Sequence, residues 1–133
     1  MAFGTLAFDT LQTSDSKNTG TNKTLDTSYV YNGSAKAWAN HDASASLDDS
    51  FNTSSISDTG TGHYGLNFSS NMNNAHYIMS GSNLGSDTDF ATCPTSDGAV
   101  VVTDRMDYHF RNMSTANVID QTHNRVVVHG DLA

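Results

Sequence analysis

The residues able to do chemistry are spread thinly along this chain. Six His stand at positions 41, 63, 76, 109, 123 and 129, and Asp107 with His109 at i and i+2 would share one face of a strand, the spacing that most suggests a metal. Neither an HExxH pair nor a Cys/His finger accompanies them, so ordinary surface His account for the set better. Asp48-Asp49 and Asp87 to Asp89 offer carboxylates to Ca²⁺ but lack the ligand periodicity of a calcium loop, and they read as solvated loop acids. Ser and Thr are so abundant that a Ser-His-Asp triad can be drawn almost anywhere, yet no GxSxG elbow, phosphate-binding glycine loop or acid–base carboxylate pair marks a place for one. Cys93 is the single cysteine, which excludes a disulfide within the chain and any multi-Cys metal site. The reading assigns no catalytic residue, no cofactor and no metal. Asn-x-Ser/Thr triplets start at Asn22, Asn32, Asn52, Asn67 and Asn112, as chance gives in so Ser/Thr-rich a chain, and carry little weight for glycosylation.

Whatever these side chains do, β-strands must position them. The clearest signal is a hairpin: Ser50 to Ser57 and His63 to Ser69 are strand-like runs separated by Asp58-Thr59-Gly60-Thr61-Gly62, whose glycines suit a tight loop. In the second arm Tyr64, Leu66 and Phe68 alternate with His63, Gly65 and Asn67, as a half-buried antiparallel strand requires. Met106, Tyr108 and Phe110 alternate in the same way with Asp107, His109 and Arg111. Further strands are expected at Ser28 to Tyr31, at Ala35 to His41, with Ala35, Ala37 and Ala39 on one face and Lys36, Trp38 and Asn40 on the other, and at His76 to Ser80, Ala99 to Thr103, Val118-Ile119 and Arg125 to His129. Gly81 to Gly98 reads as a long loop suited to partner contacts. Trp38, Phe51, Tyr64, Phe68, Tyr108 and Phe110 are the expected core anchors.

Composition agrees with an all-β chain. Of 133 residues, 46 are Ser, Thr or Asn, all fourteen acids are Asp, and there is no Glu. Short polar side chains favour strands and turns, and the usual helix formers are scarce. The length suits one sandwich domain, residues 28–133, preceded by an extended N-terminal arm, residues 1–27. From Gln12 to Thr27 almost nothing apolar is present except Leu25, so this stretch is a loop or is held by a neighbouring chain. A net charge of −8 disfavours nucleic acid as a partner. No apolar run approaches a membrane span, and Met1 to Leu11 lacks the basic start and continuous apolar core of a signal peptide, so cytoplasmic synthesis without membrane insertion is expected.

With those residues in view, the chain resembles a β-sandwich module found in tail-fibre and other virion structural proteins of marine tailed phages, especially those infecting cyanobacteria. The resemblance rests on GTLAFDTLQTSDS, GSAKAWAN, SFNTSSISDTGTGHYGLNFSSNMNNAHY and RVVVHGD, and within the central piece on Phe51, Asn52, Gly60, Gly62, Tyr64 and Phe68. It implies an antiparallel, jelly-roll-like β-sandwich, a homotrimer, and a non-enzymatic role in a virion assembled in the host cytoplasm. The expected place is a tail fibre or small tail appendage that contacts other virion proteins. On that expectation the arm docks on neighbours through Phe3, Leu6, Phe8 and Leu11. The alternatives are a capsid decoration or head-fibre protein, and a carbohydrate-binding module that recognises a host-surface glycan with Trp38.

Overall fold

The computed structural model describes residues 10–12, 24–84, 90–93, 100–112 and 115–133. They belong to two compact units, Met1–Ser34 and Ala35–Ala133. In the first, β1 (Thr10–Gln12) pairs antiparallel with β2 (Thr24–Asp26), and a short helix, α1 (Thr27–Gly33), follows. The strand expected at Ser28 to Tyr31 is therefore helical. Asp26, in extended backbone, accepts the Ser28 N–H through its carboxylate at 2.8 Å, and Ser34 N–H closes the last turn on the Val30 carbonyl at 3.1 Å. An Asp cap supplies the first turn with an acceptor and so prevails over the β preference of Tyr29, Val30 and Tyr31. The arm boundary expected after residue 27 falls at the start of this helix, and the compact division comes at Ser34. No helical residue is buried, and Tyr29 is 72% exposed. Of the docking residues expected in the arm, Phe3, Leu6 and Phe8 lie outside the described residues. Leu11 is in β1, and its side chain lies outside what is described.

The second unit is two four-stranded antiparallel sheets. Its strands are β3 (Ala37–His41), β4 (Leu47–Phe51), β5 (Thr53–Gly60), β6 (His63–Phe68), β7 (Ile78–Leu84), β8 (Phe90–Cys93), β9 (Arg105–Asn112) and β10 (His123–His129). Sheet 1 has the order β4-β3-β10-β7 and sheet 2 the order β5-β6-β9-β8. All pairings are antiparallel, three of them hairpins that keep consecutive strands in one sheet: β3–β4, β5–β6 and β8–β9. This order establishes the all-β sandwich, not a jelly-roll order. Alternation sorts the side chains as the sequence implies. Tyr64, Leu66 and Phe68 of β6 and Met106, Tyr108 and Phe110 of β9 point inward, against Ala37, Ala39, Val126 and Val128 of sheet 1, in one buried cluster. Bulky aromatics on one sheet over alanines and valines on the other are complementary in size, as face-to-face packing of two sheets requires.

Two of the expected core anchors are elsewhere. The core takes the alanine face of β3, so period two puts Trp38 on the outer face, where it is half-buried. Phe51 pairs with Trp38 across β3–β4 and shares that outer face, 51% exposed. The run Ser50 to Ser57 is not one strand. Asn52, at φ 51°, breaks it into β4 of sheet 1 and β5 of sheet 2, and its side chain replaces the ladder at the corner. Asn52 Nδ2 donates to the carbonyls of Lys36 and Ser70, at 3.0 and 3.1 Å, and Oδ1 accepts the Ser70 N–H at 2.7 Å. Asn tolerates the left-handed region better than most residues, and here its amide binds both sides of the crossing.

The hairpin at β5–β6 is tighter than expected, with Thr61-Gly62 as its loop and Gly60 paired with His63. Gly62 has φ 63°, and a Cβ there would meet the Ile119 carbonyl oxygen at 2.5 Å and the Val118 side chain at 2.6 Å. The expected loop from Gly81 to Gly98 contains the end of β7 and all of β8, while residues 85–89 and 94–98 lie outside the described residues. The strand expected at Ala99 to Thr103 is reduced to a single bridge, Val101 to Met106, and Val118 likewise only bridges Arg111.

Candidate functional site

The groups with acid, base or metal-binding chemistry are largely engaged with one another. His41 is fully buried at the end of β3. Its Nδ1 is 2.7 Å from the Asp42 carbonyl, which only accepts, so Nδ1 carries the proton and Nε2 accepts the Tyr108 hydroxyl at 2.6 Å. Burial lowers the His41 pKa, partly offset by the Asp42 carbonyl and carboxylate. Burial likewise pushes Tyr108 well above the ordinary tyrosine value. Tyr64 packs edge-on to His41 with ring centroids 4.7 Å apart, and its hydroxyl donates to the Ala43 carbonyl at 3.0 Å. Asp120 accepts from the Gly62 N–H and lies 3.3 Å from the Tyr64 hydroxyl, which fastens the 118–121 segment to the hairpin tip. This cluster is a satisfied core network.

Asp107 and His109 do share a strand face, but each is committed elsewhere. Asp107 holds Arg105, with Nε to Oδ1 at 2.9 Å, and accepts the Val100 N–H at 3.1 Å. His109 Nε2 accepts from Arg111 Nε at 2.8 Å, and its ring stands beside His63 at 5.4 Å. Burial first, then the Arg111 and His63 charges, lower the His109 pKa. Cys93 is opposite His109 in the β8–β9 register. Among the described residues no three His, Cys, Asp or Glu side chains converge as metal ligands. Asp48 and Asp49 are exposed on the edge strand β4, and Asp87 to Asp89 lie outside the described residues.

What remains as a site is the outer face of sheet 1. Antiparallel register lines up two rows there: Phe51, Trp38, Val127 and Ser80 in one, and Asp49, Asn40, Arg125 and Ser82 in the next. Side chains directly opposite across paired strands lie on one face, so these rows are adjacent stripes of a single surface. Their heights differ. Trp38 is large, Val127 is middling, and Ser80 and Ser82 on the edge strand β7 are short. The step from indole to serine opens a groove of about 580 Å³ lined by Trp38, Asn40, Ser80, Ser82, Arg125 and Val127, with backbone of the inward residues as floor.

Its lining is mixed in a useful way. Trp38 and Val127 give apolar surface, Ser80 and Ser82 are exposed, and the Asn40 amide oxygen is itself buried, with no hydrogen-bond donor on it. Four cationic side chains are described: Lys36, Arg105, Arg111 and Arg125. Arg105 pairs with Asp107, Arg111 bonds His109, and Lys36 is buried with a partner of its own. Arg125 is exposed and, among the described residues, makes no hydrogen bond or ion pair.

Trp38 is the one groove residue that the sequence singled out. Within the strand expected at Arg125 to His129, the run Val126 to Val128 is consistent with a buried strand, which hides the alternation that puts Arg125 and Val127 outside while Val126 and Val128 fill the core. Reading that strand with period two finds the pair. Ser80 and Ser82 need the β7 pairing to be seen, because nothing in their types distinguishes them from the many other serines.

No protein-family model, no curated protein and no solved structure matches the chain. Among the described residues no helix is long and apolar enough to cross a membrane.

Proposed function

We propose that the chain is a non-enzymatic structural subunit of a phage particle, placed in a tail fibre or tail appendage, that works through assembly and host attachment. The observation that carries this reading is the contrast between the two kinds of surface. Among the described residues several reactive side chains are tied to internal partners, as in His41–Tyr108, His109–Arg111 and Asp107–Arg105, while the outer face of sheet 1 leaves Phe51, Ile78 and Arg125 uncovered. Such a molecule is built for contact. The described part of the first unit adds to it, since a two-stranded pairing and a seven-residue helix with no buried residue leave Tyr29, Val30 and Tyr31 exposed and suited to docking on a neighbour. A homotrimer, with Phe3, Leu6, Phe8 and Leu11 as docking residues, is part of the proposal.

Immunogold labelling of intact particles with antibody raised against the folded sandwich tests it. Label confined to the tail or its appendages is expected. Label spread over the head moves the protein to capsid decoration, and a particle whose proteome lacks the chain overturns the virion reading.

A second reading, a carbohydrate-binding module, is favoured by one specific observation: the chain's single Trp lies in a groove with hydroxyl and amide groups beside it. Aromatic faces take the apolar faces of sugars, and polar neighbours take their hydroxyls. Glycan binding that disappears in Trp38→Ala with the fold retained supports it.

A further inference from the structure

We infer that the groove on sheet 1 takes an acidic glycan, one bearing a carboxylate or sulfate ester, with Arg125 as the anion-binding residue and Trp38 as the surface on which a sugar ring rests. This rests on the glycan-binding reading of the groove and adds the class of sugar. Charge selects the occupant. The chain carries −8, so anions are repelled from most of its surface, yet the groove presents the one described cation without a partner. The carboxylate in the same row, Asp49, is two strands away through Asn40, about 9.5 Å at ordinary strand spacing, and holds the Ser50 N–H instead. A guanidinium left open beside an aromatic and two serines suits a ligand with one planar or tetrahedral anion on a body that is otherwise apolar-faced and hydroxyl-rich.

Other anions fit less well. A nucleic acid presents a run of phosphates, and a single arginine in an acidic chain gives no stripe to follow them. An acidic peptide would use the arginine and could pair with the serines, but its backbone does not offer Trp38 the apolar ring face that a sugar does. An acidic sugar occupies the exposed groups together: ring face on Trp38, anion on Arg125, hydroxyls on the serines. Val127 lies between Trp38 and Ser80, where a ring carbon face would sit.

The test is titration calorimetry of the full chain with four probes: an oligogalacturonate, its carboxyl-reduced counterpart, a sulfated galactan oligosaccharide and its desulfated counterpart. One or both acidic probes should bind, the uncharged counterpart of each binder should bind about 10-fold or more weakly, and added salt should weaken the acidic complex. Arg125→Gln, a surface change that spares the core, should lower affinity for the acidic probe by about 10- to 100-fold and for its neutral counterpart by much less, so that the preference for the acidic probe is lost. The two acidic probes separate carboxylate from sulfate as the anion.

Equal binding of acidic and neutral sugars, unaltered by Arg125→Gln, overturns the inference and leaves the glycan reading standing. Failure of all four probes to bind, with the thermal unfolding of the chain normal, overturns both. Binding of an acidic probe that survives Arg125→Gln also overturns it, because the anion is then held elsewhere. None of these outcomes bears on where the protein sits in a particle, which the labelling experiment decides.

Discussion

His41 shows how far one buried side chain can be followed. Its two ring nitrogens are used in opposite senses, one donating to Asp42 and one accepting from Tyr108, and only the neutral ring can do both. Adding a proton to Nε2 obliges the Tyr108 hydroxyl to turn and accept, leaving its own proton without a partner in the core. The folded pKa is below the ordinary value of 6.5, so the unfolded chain takes up this proton first. The stability that His41 contributes is therefore complete above about pH 6.5 and is lost as pH falls from there toward the lower folded value. His109, lowered for the same first reason, acts with the same sign. The urea midpoint should drop between about pH 7 and about pH 5, and a midpoint that stays level would refute this account. Tyr108→Phe removes the proton that Nε2 accepts and should cost about 1–3 kcal/mol at neutral pH, read from the same unfolding curves.

At the scale of elements, the strands that alternate cleanly were the legible ones. β6 and β9 declare themselves through Tyr64, Leu66, Phe68 and Met106, Tyr108, Phe110, and all six lie in the core. β3 was legible as a strand whose alanine face packs against another sheet, and only Trp38, on the opposite face, was expected in the core and lies outside it. The reason is steric: the aromatics come from the opposite sheet, and alanines make room for them. The β4–β5 corner was hidden because a positive-φ Asn within a polar run looks like any other strand position, and α1 was hidden because its cap is a single Asp before strand-preferring residues. The groove was legible in Trp38 alone, since its other walls depend on which strands pair. The hairpin tip gives a direct test of the element scale. Gly62→Ala adds a methyl at a left-handed residue and drives it into Val118 and Ile119, so it should destabilise by about 1–3 kcal/mol. Gly33→Ala, where a Cβ meets nothing within 4 Å, serves as the control and should change the thermal midpoint little.

For the molecule as a whole, the division at Ser34 matters more than any single contact. Every member of the core cluster lies between Ala37 and Val128, within the second unit. A chain beginning at Ala35 should therefore keep the circular dichroism and the cooperative unfolding of the intact protein. On the proposed function it should also lose assembly, which sedimentation of the two forms at equal concentration would read. Unfolding of the shortened chain would show instead that the first unit is needed by the sandwich.

One tryptophan in the chain, and that one in the groove, means the protein comes with its own optical probe. Excited selectively over the tyrosines, its emission reports the polarity around a half-covered indole on the outer face of sheet 1, while the core beneath stays silent. A ligand that seats there should shift the spectrum to the blue and shield the ring from iodide or acrylamide quenching. Comparing the charged and the neutral quencher in wild type and Arg125→Gln would then read, from the same signal, how strongly the neighbouring guanidinium draws anions toward the ring.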